Sequence, residues 1–216
     1  MARYNLPNEM NRFKVYNGSI VKRMSMLISN SRVPANVSQI MQIRLSLKND
    51  ETGVKDFYLD NYFYTGDDVI YHPDGRVKIV LDSQTLREIT PEIELKDGAL
   101  VLTEDVYDFL QGEEFKKGKL GKINEWLTNK EAKAHPVWRV LARDQTLLDN
   151  YVEYIFAEGR KKFDYHIGMG IYPDSAGGDV KMRAWCINRI GYKSNALGRY
   201  PLDYNRGRLL GIIGDI

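Results

Sequence analysis

Side chains able to do catalysis are few in this chain, and none is spaced for it. The three histidines, His72, His135 and His166, never fall at a paired ligand spacing such as His-x-x-x-His. His72 and His135 each precede a proline, which places them at turns or helix boundaries, where a structural or solvated role is the ordinary one. The acidic doublets Asp67-Asp68, Glu104-Asp105 and Glu113-Glu114 would need burial and divergent proton affinities to work as acid and base, which spacing alone does not supply. Gly168-x-Gly170 and Gly177-Gly178 lack the third glycine and the following helix of a phosphate cradle. No phosphate-binding Walker sequence, nucleophile elbow or His-Glu-x-x-His helix occurs. The single cysteine, Cys186, lies beside Trp185 in an apolar stretch, with only Arg183 and Arg189 near enough in sequence to activate it, and reads as a buried, inert thiol. The chain is not expected to be an enzyme.

Side chains suited to recognition are concentrated near the C-terminus. From Ile187 to Arg206 the chain has no Glu, Gln, Met or Trp and is rich in Asn, Tyr, Arg and Gly, with an apolar stretch on either side. Tyrosine provides contact area at low entropic cost, and Asn, Ser and Gly provide adaptable hydrogen bonding. A long surface loop of no special function has a similar composition, but two bounding strands with a Tyr- and Arg-bearing loop between them fit a binding site better. Charge points the same way: between Lys181 and Arg208 there are seven Lys and Arg against one acid, Asp203.

The elements that would position this tail are read from periodicity and caps. Arg12–Ile20 can hold a short strand and Val21–Ser29 a turn or two of helix. Asn36 can cap a helix carrying Val37, Ile40, Met41, Arg44 and Leu45 on its face. Val69–His72 and Arg76–Leu81 flank the turn Pro73-Asp74-Gly75 as a hairpin. Thr103 opens a helix bearing Val106, Phe109 and Leu110. Thr128-Asn-Lys-Glu131 has the capping-box pattern, with a short or kinked helix around Pro136 after it. Asp144–Glu158 has the clearest apolar stripe, with Gly159 as its terminator. Strands are expected at Met169–Tyr172, Met182–Asn188 and Arg208–Ile213. Helices and strands are segregated, which predicts an α+β fold with a mostly antiparallel sheet.

The tail, together with the helices before it, resembles the variable proteins of archaeal diversity-generating retroelements. The likeness rests on Met182-Arg-Ala-Trp185, Asn188-Arg189, Ser194-Asn-Ala-x-Gly-Arg199, Leu202 and Gly207-Arg-Leu-Leu-Gly211. Upstream it includes His135-Pro-Val-Trp-Arg-Val-Leu-Ala142, Leu147-Leu148, Tyr151 and Met169-Gly-Ile-Tyr172, so that it spans about 69–213. The resemblance implies a C-type lectin-like fold whose first and last strands pair, here Arg76–Leu81 with Arg208–Ile212. The implied organisation is an N-terminal segment, 1–68, packed on or extending a lectin-like domain, 69–216, with a variable region at about 185–207. It also implies adenine-directed mutagenesis, which leaves Lys, Glu, Gln, Met and Trp out of reach at diversified asparagine codons. Trp185 and Lys193 are then fixed, and Gly198-Arg199, Leu202 and Gly207-Arg208 are framework. The candidate ligand-binding, diversified positions are Ile187, Asn188, Ile190, Gly191, Tyr192, Asn195, Leu197, Tyr200, Pro201, Asp203, Tyr204, Asn205 and Arg206. Of these, Asn188, Ile190 and Asn195 fit a scaffold role equally well. Lectin folds often hold calcium, but no dense cage of Asp, Glu and Asn oxygens is evident, so no metal and no cofactor is expected.

The expected function is a display protein binding a macromolecular target, most simply a protein. The rivals are a nucleic-acid module using Arg189, Lys193, Arg199 and Arg206, and an enzyme on a formylglycine-generating-enzyme-like fold, where His166 or Cys186 would act. The 43% hydrophobic and 28% charged composition is that of an ordinary globular protein, and a net charge of +2 is too small to imply nucleic acid. No run approaches the roughly 18 apolar residues of a membrane span, and no secretory signal is evident. A cytoplasmic monomer is expected, with surface display or packaging into a particle left open.

Overall fold

The computed structural model describes residues 12–50, 53–120, 126–163, 167–174, 177–191 and 193–213. In chain order the elements are β1 (Phe13–Asn17), α1 (Ile20–Ser29), β2 (Arg32–Pro34), α2 (Val37–Ser46), α3 (Val54–Asp60), β3 (Phe63–Tyr71), β4 (Arg76–Val80), α4 (Gln84–Arg87), β5 (Leu100–Leu102), α5 (Glu104–Phe109) and β6 (Glu113–Lys116). Then follow α6 (Asn129–Ala134), α7 (Pro136–Ala142), α8 (Gln145–Lys162), β7 (Gly168–Tyr172), β8 (Val180–Ile187), β9 (Lys193–Leu197) and β10 (Arg208–Ile213).

The strands form one mixed, mostly antiparallel sheet in the order β1-β10-β3-β8-β9-β7. β2 also pairs with β10, β4 bridges β3 and β6, and β5 lies along β8. Both faces are covered, and the period-two alternation of strand side chains divides them between two apolar clusters. Phe63, Val69 and Tyr71 of β3, with Trp185 and Ile187 of β8, meet α2, α3, α6, α7 and α8 on one face. Tyr64 and Ile70, with Met182, Ala184 and Cys186, meet α1, α4 and Tyr107 of α5 on the other. Each fully buried large apolar side chain of these layers contributes roughly 1.5–3 kcal/mol.

Local sequence explains most helix ends. At α2 the Asn36 carboxamide oxygen accepts from the Gln39 amide, and the Gln39 side chain accepts from the Asn36 amide, both at 2.9 Å. Thr128 and Glu131 make the equivalent box at α6. His135 then turns extended, and Pro136 opens α7 at the first helical position, where its missing N–H costs nothing. Asp144 caps α8 by accepting from the Leu147 amide at 2.6 Å.

Four sequence expectations change. The last strand does not pair with Arg76–Leu81; β4 is occupied by β3 and β6, and β10 lies instead between β1 and β3, with the register Phe13↔Ile212 to Asn17↔Arg208. The boundary at 68/69 falls inside β3, and residues 13–68 supply two sheet strands and much of both cores. Gly159 does not end α8; the helix continues to Lys162, and a Cβ at Gly159 would lie 2.9 Å from Ile167 Cγ2, so close packing requires the glycine. β9 was read as loop, because its Ser194 and Asn195 are polar; both are buried all the same.

Asp68 of β3 is wholly buried, and that burial, with the Asp67 charge beside it and only partly opposed by Ser83 and the Val80 amide, pushes the group up to about 8. The folded chain therefore keeps this proton to higher pH than the unfolded chain, whose carboxyl has the ordinary value of 3.8. Stability from this group is complete below the unfolded value and is lost as pH rises through the folded one. Asp68→Asn should flatten that dependence and stabilise the protein at pH 8 relative to the parent, by an amount on the order of a few kcal/mol. Urea denaturation of both proteins at pH 5 and pH 8 checks this, and parallel pH trends would contradict it.

Candidate ligand-binding surface

The segment from Gly198 to Gly207 links β9 to β10 and lies against the α1 side of the sheet. Three of its residues are buried: Gly198, Leu202 and Gly207. The Gly198 amide donates to Tyr172 O at 2.9 Å, and its carbonyl accepts from the Tyr71 hydroxyl at 3.0 Å. A Cβ there would lie 2.5 Å from Tyr71 Oη. Leu202 is fully buried; its amide donates to Gly98 O at 2.7 Å and its carbonyl accepts from the Val21 amide at 3.3 Å. Gly207 O accepts from the Gly18 amide at 2.9 Å, and a Cβ on Gly207 would fall within the Tyr64 ring. Two further hydroxyls hold the backbone between these points: Tyr64 donates to Pro201 O at 3.1 Å and Tyr62 to Arg206 O at 2.6 Å. The underlying 97–98 turn is itself held, because buried Arg183 donates to Asp97 O and Gly98 O and pairs with Asp174 at 2.6 Å.

Between the anchors, the side chains of Asp203, Asn205 and Arg206 are exposed, as is Arg199, and those of Tyr200, Pro201 and Tyr204 are half-buried. Tyr200 and Tyr204 stack, with ring centroids 5.4 Å apart and planes 20° from parallel; the Tyr62 ring lies 6.1 Å from Tyr200. Burial, reinforced by the neighbouring Tyr204 hydroxyl, pushes Tyr62 up to about 12, so it stays a neutral donor at physiological pH. Nothing in the spacing of Tyr62 connects it with the tail.

The N-terminal half of the candidate set is placed differently. Ile187, Ile190, Asn195 and Leu197 are all buried, so their side chains belong to the interior and not to a contact surface. Their apolar or main-chain partners explain this: Ile187 and Ile190 pack in the helix-covered core, and the Ile190 amide donates to Leu59 O at 2.6 Å. Asn188 is half-buried; its amide donates to Asn195 O and its carbonyl accepts from Arg44 Nη2 at 2.9 Å. Gly191 is half-buried, and Tyr192 lies outside the described residues. The structure thus gathers Tyr200, Pro201, Asp203, Tyr204, Asn205 and Arg206 into one stretch, joined by Tyr62 and Arg199.

The catalytic candidates are dispersed or occupied. Burial pushes the Cys186 thiol far above its ordinary range, and the opposing Arg44 charge does not offset it. His72 sits between Asp74 at 2.7 Å and Glu104 at 2.5 Å, tying the β3–β4 turn to α5. His135 stands at the N-cap position of α7 without a side-chain cap, and His166 lies outside the described residues. Asp67 is a structural carboxylate: it accepts from the Val37 amide at 2.8 Å, the Asp82 amide at 2.9 Å and Arg143 at 2.7 Å. Among the described residues no group of three or more His, Cys, Asp and Glu side chains could hold a metal, and no helix is long and apolar enough to cross a membrane.

No family model and no curated protein matches the chain. A solved structure does: a Nanoarchaeota protein described as accommodating massive sequence variation by the C-type lectin fold. It superposes with a TM-score of 0.64 at 15% identity, over 93% of this chain and 96% of that one. This chain has a C-type lectin fold. Pairing of β10 with β1 is then the closure of the lectin fold by its terminal strands, and the 198–207 segment is one of its long loops. The superposition covers 93% of this chain, and β1 lies in the same sheet as the last described strand.

Proposed function

We propose that the chain is a ligand-binding display protein whose surface is formed by Tyr200, Pro201, Asp203, Tyr204, Asn205 and Arg206, with Asn188 and Gly191 at its edge. One observation carries this reading: the hydrogen bonds that fix the backbone path of 198–207 use its main-chain atoms, with Leu202 as the buried anchor, and Tyr200 and Tyr204 only edge against the core. The side chains that grip it, Tyr62, Tyr64 and Tyr71, come from outside it. Side-chain identity at the exposed positions can therefore change with little effect on the path of the backbone. The related lectin fold from Nanoarchaeota, which accommodates massive sequence variation, supports the same use of this scaffold. The absence of Glu, Gln, Met and Trp between Ile187 and Arg206 supports diversification by adenine-directed copying from a retroelement template. The target is a macromolecular surface, in keeping with a tyrosine-rich contact region.

The test is a library randomised at Tyr200, Asp203, Tyr204, Asn205 and Arg206, with folding read by thermal unfolding and binding by selection against a panel of proteins. Most members should lose no more than about 1 kcal/mol, as surface positions do. A Leu202→Asp control should unfold. A library as damaged as that control would refute the display reading. Independently, a near-copy of the codons for 182–212, differing only where the copy has adenine and lying beside a reverse-transcriptase gene, is the expected genomic setting.

A further inference from the structure

The tail's excess of positive charge is not all available to a ligand. Of its seven Lys and Arg, Lys181 and Arg183 are buried and committed, to Asp97 at 2.9 Å and Asp174 at 2.6 Å. Arg189, Arg199 and Arg206 are exposed, and none pairs with a carboxylate among the described residues. Arg199 and Arg206 border the tyrosines. Arg199 lies over the Tyr172 ring at 5.4 Å and precedes Tyr200; the Arg206 carbonyl is the acceptor of Tyr62. At Tyr200, burial raises the hydroxyl's proton affinity, and the Arg199 and Arg189 charges oppose it, which places both guanidinium groups in electrostatic reach of that ring.

Resting on the display reading, we infer that the present sequence of this surface is built for an acidic protein segment. Carboxylates meet Arg189, Arg199 and Arg206, and an apolar or ring-bearing side chain meets the outer edges of Tyr62, Tyr200 and Tyr204. Guanidinium forks suit carboxylates through paired N–H donors. A nucleic-acid strand is less well served by the tyrosines: the stacking of Tyr200 on Tyr204 takes one face of each ring from base stacking. Asp203, exposed in the same stretch, opposes any anionic ligand but can receive an amide or hydroxyl donor from a polypeptide.

The full chain is titrated with a random Glu/Tyr copolymer, a Lys/Tyr copolymer and a mixed-sequence single-stranded DNA oligonucleotide, at low and high salt. The Glu/Tyr copolymer should bind, more weakly at high salt. The triple variant Arg189→Ala, Arg199→Ala, Arg206→Ala should bind it about tenfold less well while keeping the parent's thermal unfolding, since each side chain is exposed. Asp203→Asn should strengthen it. Equal binding of the Lys/Tyr copolymer, tighter binding of the DNA, or indifference to the triple variant would overturn the inference. If the parent ignores the Glu/Tyr copolymer while members of the tail library still acquire targets, the charge inference falls and the display reading stands. If no library member both folds and binds, the display reading itself falls.

Discussion

Replacing Arg44 with alanine is expected to lower the folding free energy by about 4 kcal/mol, in the range seen when a buried charge network loses a member. Arg44 is fully buried on α2, and its guanidinium serves four acceptors from three other parts of the chain. Nε donates to Tyr58 O at 3.0 Å and Nη1 to the Tyr151 hydroxyl at 2.8 Å; Nη2 donates to Asn61 O at 3.1 Å and Asn188 O at 2.9 Å. Removing the fork leaves three carbonyl groups without a donor, where water has little access. Arg44→Lys should recover only part of the loss, because one ammonium cannot reach the same fan of acceptors. Urea denaturation of the two variants measures it, and a loss for alanine below about 1 kcal/mol would contradict this account. Asn188 begins the tail, so the alanine variant should also loosen the position of Arg189.

The second large effect is expected at Gly207. Gly207→Ala places a Cβ inside the space of the Tyr64 ring, and Tyr64 is itself fully buried and hydrogen-bonded to Pro201 O. Either the ring shifts and releases Pro201, or the backbone before β10 moves and releases the Gly18 amide. The cost should be about 3 kcal/mol, as for other insertions into a packed core. Combining Gly207→Ala with Tyr64→Leu should cost less than the sum of the two single changes, since the smaller side chain frees the space. Strict additivity would mean that the ring is not the obstacle.

How far the sequence reveals this molecule depends on whether the determining interactions are local. The Asn36 and Thr128 caps, the Pro73-Asp74-Gly75 turn and the α8 stripe are written in a few adjacent residues, and all appear in the structure. The resemblance assigned framework roles to Gly198, Leu202 and Gly207, and these are the buried anchors of the tail. What escaped reading depends on distant partners. Gly159 looks like a helix terminator until Ile167 is placed against it. Ile187 and Leu197 look like variable loop residues until β8 and β9 carry them inward, and Ile190 until its amide meets Leu59 O. Arg44 interrupts an apolar helical face, a visible oddity, but its acceptors at 58, 61, 151 and 188 cannot be inferred from that position. Tyr62 is separated from Arg206 by most of the chain.

The position of β10 also bears on how the molecule comes into being. It lies between β1 and β3, follows every other described strand in sequence, and its pairing with β1 closes the longest loop among them. Until β10 arrives, β1 has no sheet partner among the described residues and the Tyr64 end of β3 lacks one neighbour, a state open to mispairing with other chains. Contacts of such separation slow folding. The stretch just before β10 is the one that varies under the display reading, so each variant must complete that late step with a different sequence on the approach. Speed of closure, as well as final stability, would then select which variants survive.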